Sequence, residues 1–102
     1  MASRLELHEE LCELLGSRNV YYQPPENLKM IYPCIRYSKS DVATKKASDR
    51  IYIKDNRYEI TVIDKNPDSA IPDSILERFP YCSFDRWYPS NNLNHFVLTL
   101  YY

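Results

Sequence analysis

A chain of 102 residues with a single glycine, Gly16, has few ways to turn sharply. Positive φ angles then fall to asparagine and aspartate, which tolerate them next best. The same scarcity excludes the phosphate-cradling loops of nucleotide-binding folds, which need several closely spaced glycines. Aromatic residues are plentiful instead: ten tyrosines, three phenylalanines and one tryptophan, 14% of the chain. They favour sheet surfaces and contact surfaces. They also supply enough area to bury for residues 1–102 to fold as a single domain.

Thirteen basic side chains against fourteen acidic ones give a net charge of −1. A dedicated nucleic-acid binder carries a strong basic excess, so that class is disfavoured. No stretch approaches the length of an apolar membrane span. The opening MASRLELHEE has acids where a signal peptide needs its apolar run. The expectation is a soluble product of the cell interior with no membrane partner. Cys12, Cys34 and Cys82, an odd set in apolar surroundings, read as reduced and partly buried thiols.

Residues 4–15 have helical spacing. Ser3 and Glu6 form a capping box, and Leu5, His8, Cys12 and Leu15 share a face that Leu11 and Leu14 widen. Gly16 then supplies a left-handed stop. Short strands follow at 19–23 and about 30–37, the second holding Pro33, which places it at an edge or a bulge. The polar run 38–50 reads as a mobile excursion with a local charge of +2. Ile51–Lys54 and Arg57–Asp64 read as a hairpin about Asp55-Asn56, with Tyr58, Ile60, Val62 and Asp64 on the core face. A second helix is expected from Asp68 or Ser69 to Phe79. Its first turn accepts Pro72, and Ile71, Ile75, Leu76 and Phe79 form its buried stripe. Strands 81–88 and 95–102, joined by a polar turn, complete the chain. The order predicts an α+β fold: a mostly antiparallel sheet of about five to six strands with two helices packed on it.

No constellation announces chemistry. His8 and Cys12 lie four apart on a helix, with Cys34, Cys82 and His95 elsewhere, but none has the close spacing of structural zinc sites. Asp55, Glu59, Asp64 and Lys65 carry acids and a lysine near a hairpin, as a metal-dependent nuclease requires. Yet Asp55 belongs to the turn, and Glu59 points away from the Asp64 face. A nucleophile pairing Cys34 or Cys82 with His95 lacks an oxyanion-binding glycine turn. Tyrosines interleaved with Arg36, Arg50, Arg57 and Arg86 resemble a stacking platform. Asp49, Asp55, Glu59 and Asp85 dilute its field, and protein–protein contact suits Tyr-Arg surfaces better. The reading is a non-enzyme with no cofactor and no metal.

The segments LELHEELCELLGSRNVYYQPP, MIYPCIRY, RYEITVIDKNPDS, CSFDRWY and NLNHFVLTLYY together cover nearly the whole chain. They resemble a family of small proteins encoded by tailed phages and prophages among the head–tail joining and tail genes. The order of elements resembles the tail terminator, or tail completion, proteins of long-tailed phages. That resemblance implies a structural virion protein forming a homo-hexameric ring that caps the tail tube and docks the head connector, with DNA passing through its lumen. It implies location in the virion neck, and in the host cytoplasm during assembly. A head-completion or stopper role in the same neck, or a small regulator binding a host protein, is the alternative. No motif is a catalytic signature, so no active-site residue carries over. For contact with partners or the lumen the polar run offers Lys39, Asp41, Lys45, Lys46 and Arg50. Asp85, Arg86 and Trp87 with the turn residues Asn91 and Asn92 come second. Tyr32, Pro33, Tyr101 and Tyr102 are expected at subunit interfaces, on strands taken as edges.

Overall fold

A computed structural model describes residues 4–24, 29–42 and 56–102, without the side chains of Asp41 and Val42. In chain order the elements are α1 (Arg4–Leu15), β1 (Val20–Tyr22), β2 (Cys34–Val42), β3 (Asn56–Asp64), α2 (Ile71–Arg78), β4 (Cys82–Ser90) and β5 (Leu93–Tyr101). The strands form one five-stranded sheet in the order β1-β2-β3-β5-β4. Only β1 runs parallel to its neighbour, and the other pairings are antiparallel. This is the expected α+β architecture, with both helices against one face of the sheet. Neither helix is long and apolar enough to cross a membrane.

α1 buries Leu7, Leu11 and Cys12, with Leu14 and Leu15 packed beside them. Leu5, expected on the buried stripe, is 65% exposed. The stripe instead follows positions 7, 11, 14 and 15, the ordinary slant of a helix face. Gly16, at φ 84°, returns its N–H to the Cys12 carbonyl at 2.9 Å and stops the helix. α2 has Pro72 in its first turn and buries Pro72 and Ile75. Phe79 then turns extended, and its ring closes the core. Arg78 reaches back to Glu10 at 3.1 Å and Glu13 at 3.3 Å, tying α2 to α1 across their exposed sides.

The core lies between the helices and one side of the sheet. In register, Ile35 lies beside Val62 and then Phe96, Tyr37 beside Ile60 and Leu98, and Tyr58 beside Leu100. All eight of these residues are buried and belong to one cluster with Leu7, Leu11 and Ile75. Each fully buried aliphatic side chain contributes about 2 kcal/mol relative to exposure, so this cluster dominates stability. The opposite face is open to solvent at Arg36, Glu59 and Arg86. Thr61 and Ile63 alternate onto that outer face and are nevertheless buried, because β3 is central and Cys34, His95 and Val97 flank them.

Three sequence expectations change. Residues 38–42, expected in the excursion, belong to β2, which continues to Val42. Ser38 pairs with Glu59 and Lys39 with Tyr58, while Ser40 Oγ bonds both the Arg57 carbonyl and its Nε. Polar side chains on a solvent-facing strand cost nothing, so polarity was a poor sign of a loop. Pro33 precedes β2 after a cis Tyr32–Pro33 bond, and β2 is interior, not an edge. The C-terminal strand β5 is also interior, between β3 and β4. The expected hairpin arm Ile51–Lys54 and the turn residue Asp55 lie outside the described residues.

Candidate functional site: an aromatic sheet edge

β4 and β5 form a hairpin closed by Asn91 and Asn92, with φ of 55° and 63°. Two successive left-handed residues match the right-handed twist of a tight hairpin. Asparagine fills both places in a chain with one glycine. The turn is these two residues, and Pro89, Ser90, Leu93 and Asn94, between the strands expected from sequence, belong to β4 and β5.

β4 is the last strand in the sheet order, and among the described residues one side of its backbone has no neighbour. Eight of its nine residues are exposed, Cys82 alone being half-buried. Phe84 is 46% exposed and Trp87 49%, with Tyr88 and the preceding Tyr81 beside them. Between Phe84 and Arg86 the register slips, leaving Asp85 as the extra residue of a β-bulge. Because of that slip the faces do not simply alternate. Cys82, Phe84, Trp87 and Pro89 pair with Leu100, Leu98, Phe96 and Asn94, on the helix side. Ser83, Arg86 and Tyr88 pair with Thr99, Val97 and His95, on the open side, and Thr99 Oγ1 draws the Asp85 carboxylate to that side too.

The exposed groups are held rather than loose. Trp87 Nε1 donates to Asn94 Oδ1 at 3.2 Å, and the Asn94 amide donates to the carbonyls of Asp64 and Lys65. The Tyr88 ring stacks on His95 at 4.8 Å with the planes 1° apart. Arg86 lies 5.9 Å from the Tyr88 ring and 3.9 Å from Glu59, a long and exposed ion pair of little energy. Pre-set aromatic side chains beside an unpaired backbone edge are the elements of strand-addition binding.

Of the residues singled out by sequence, Asp85, Arg86, Trp87, Asn91 and Asn92 come together on this hairpin. Lys39 and Asp41 are placed in β2, with two strands between them and β4, and the Lys39 N–H is held by Gln23 Oε1 at 3.3 Å. Lys45, Lys46 and Arg50 lie outside the described residues. Tyr32 and Pro33 lead into β2. Tyr101 pairs with Arg57, and Tyr102 is drawn into the fold, its hydroxyl donating to Glu10 at 2.7 Å and its ring edge-on to Phe79. Burial and the Glu10 carboxylate push the Tyr102 hydroxyl up to about 12. Sequence reading passed over Phe84, Tyr88 and Tyr81. The signal was the contrast between CSFDRWYPS and the continuous apolar run FVL of β5, which marks β5 as the strand covered on both faces.

The reactive groups do not converge. Cys34 is fully buried, and burial pushes its thiol up to about 11, as it does that of Cys82. Ile63 stands between Cys34 and His95 in register, while Cys82 lies on the opposite face from His95. Glu59 and Asp64 lie on opposite faces of β3. Among the described residues no three His, Cys, Asp or Glu side chains gather as a metal cage. A shallow pocket of about 270 Å³ on the open face is lined by Gln23, Arg36, Ser38, Glu59 and Thr61, a polar and mixed-charge set. Comparison with protein-family models, curated proteins and solved structures finds no match to this chain.

Proposed function

We propose that this chain is a structural subunit of a phage head–tail junction, a tail terminator that assembles as a ring. The sequence resemblance, which extends over nearly the whole chain, supplies the family. The observation that carries the assembly role is the long bare edge of β4. A ring repeats one heterologous contact until it closes. Among the described residues β4 offers the open side of a nine-residue strand for one half of such a contact, against three residues in β1 at the other end of the sheet. The mechanism is binding: the ring covers the last tail-tube layer, stops polymerisation and presents a surface to the head connector. The run holding Lys45, Lys46 and Arg50 is assigned to partner or lumen contact. A net charge of −1 suits a lumen that lets DNA slide.

Cryo-electron microscopy of the encoding phage's virions tests this. Six copies of the chain between tail tube and connector are expected. A copy lying closer to the capsid would make it a stopper or head-completion protein. Absence from the particle overturns the structural role and leaves the reading of a regulator bound to a host protein.

A further inference from the structure

We infer that the free protein pairs with a second copy of itself, β4 against β4 in antiparallel register, about a two-fold axis between Asp85 and Arg86. The inference stands on the edge strand alone and does not rest on the neck reading.

The central sequence of β4 is Cys82-Ser83-Phe84-Asp85-Arg86-Trp87-Tyr88-Pro89. Folded back on itself about its midpoint, it sets Asp85 opposite Arg86 of the second copy and Phe84 opposite Trp87. Ser83 then meets Tyr88, and Cys82 meets Pro89. Each pair occurs twice, as an isologous contact requires. Opposite charges and facing aromatics are the cross-strand pairs that stabilise antiparallel strands.

The faces agree as well, and here the bulge decides. In an unbroken strand Phe84 and Trp87 would project from opposite faces, and so would Asp85 and Arg86. This register would then be impossible for a symmetric pair lying in one sheet. With Asp85 inserted, Phe84 and Trp87 share the helix side, as do Cys82 and Pro89. Ser83, Asp85, Arg86 and Tyr88 share the open side. Every proposed pair therefore joins residues of the same face.

A bulge, charges and proline are also how natural edges avoid pairing at random, and Pro89 has no N–H to give a partner strand. Here the charges are of both signs. Adjacent opposite charges, flanked symmetrically by aromatics, exclude other registers and favour this one. Arg86 is free to swing, since its contact to Glu59 is 3.9 Å and exposed. A single strand-to-strand seam is small, below about 1,200 Å² in total, so the dimer is weak and concentration-dependent.

Sedimentation of the full chain tests the inference. The wild type is expected to move from 12.2 kDa toward twice that mass as concentration rises to roughly 100 µM, a range that detects micromolar contacts. Asp85→Arg and Arg86→Asp each set like charges face to face and should weaken association about tenfold or more, while the double exchange restores opposite charges and association. A wild type that stays monomeric overturns the inference. So do single exchanges that change nothing, or a folded double exchange as monomeric as the singles. If the double exchange does not fold, Phe84→Ser decides: association must weaken, and unchanged association overturns the pairing. Sedimentation reads self-association of the free chain and microscopy reads its place in the virion, so the two proposals fail separately; β4 serves a ring contact only once the dimer has parted.

Discussion

Tyr37 is almost sealed in the core, 1% exposed, yet its hydroxyl has two partners. Arg4 Nη1 lies 3.2 Å away and His8 Nδ1 2.8 Å. The guanidinium can only donate, so the oxygen accepts from Arg4, while the direction of the contact to His8 Nδ1 follows the imidazole tautomer. Tyr37→Phe keeps the ring contacts with Tyr22 and Tyr58 but strands both partners. It should cost about 1–2 kcal/mol in urea unfolding, with little change in the slope of the transition. Gly16 makes a different demand. A Cβ there would meet nothing within 4 Å, so space is no obstacle, but φ is 84°. Gly16→Ala should therefore lose about 1 kcal/mol through backbone strain alone, and Gly16→Asn clearly less. Equal losses for the two would show that the end of α1 does not depend on this conformation.

The elements inherit such local demands. The β4–β5 turn rests on two asparagines with positive φ, where glycine is better suited than asparagine at the second position. Asn92→Gly should stabilise the chain by under about 1 kcal/mol, whereas Ala at both positions should cost about 2 kcal/mol, both read from thermal unfolding. Elements with a single strong period were legible in the sequence: α1 from its leucine spacing and Gly16, α2 from Pro72, Ile75 and Phe79, β3 from Tyr58, Ile60 and Val62. The end of β2 was not, because Ser38–Asp41 are polar whether the backbone is paired or free. Strand order was harder still. A strand carries its pleat in its own residues, but its neighbours are chosen by the whole sheet. Pro33 and the chain terminus suggested edges on local grounds, and the bare edge fell to β4. The candidate site was half legible: Asp85, Arg86 and Trp87 stood out as a charged aromatic trio. The bulge that sorts them by face is a property of the pairing with β5, not of their spacing.

For the whole molecule, the two histidines set the acid side of the stability curve. Burial lowers the pKa of His8, with help from the Arg4 and Arg18 charges. Burial also lowers that of His95, with Arg36 assisting and a hydrogen bond to the Ser90 backbone opposing. The His95 Nδ1 atom is buried without a hydrogen-bond partner, so a proton placed there would find no acceptor. Tyr88 stacks on the ring, Ile63 lies beside it in register and Arg36 acts through its charge, and none of these supplies a carboxylate. In the unfolded chain both rings titrate near 6.5. The unfolded state therefore binds protons first as pH falls, and stability declines from about pH 6.5 downward until the folded pKa values are passed. Above that window neither histidine affects the balance. The Tm should thus be flat between about pH 7 and 8 and fall toward pH 5.5, ahead of any loss from the carboxylates. His95→Phe keeps an aromatic ring for Tyr88 and removes one of the two proton-linked terms, so its Tm should fall less over the same range. An equal fall in the variant would assign the whole effect to His8, whose Nδ1 lies 2.8 Å from the Tyr37 hydroxyl.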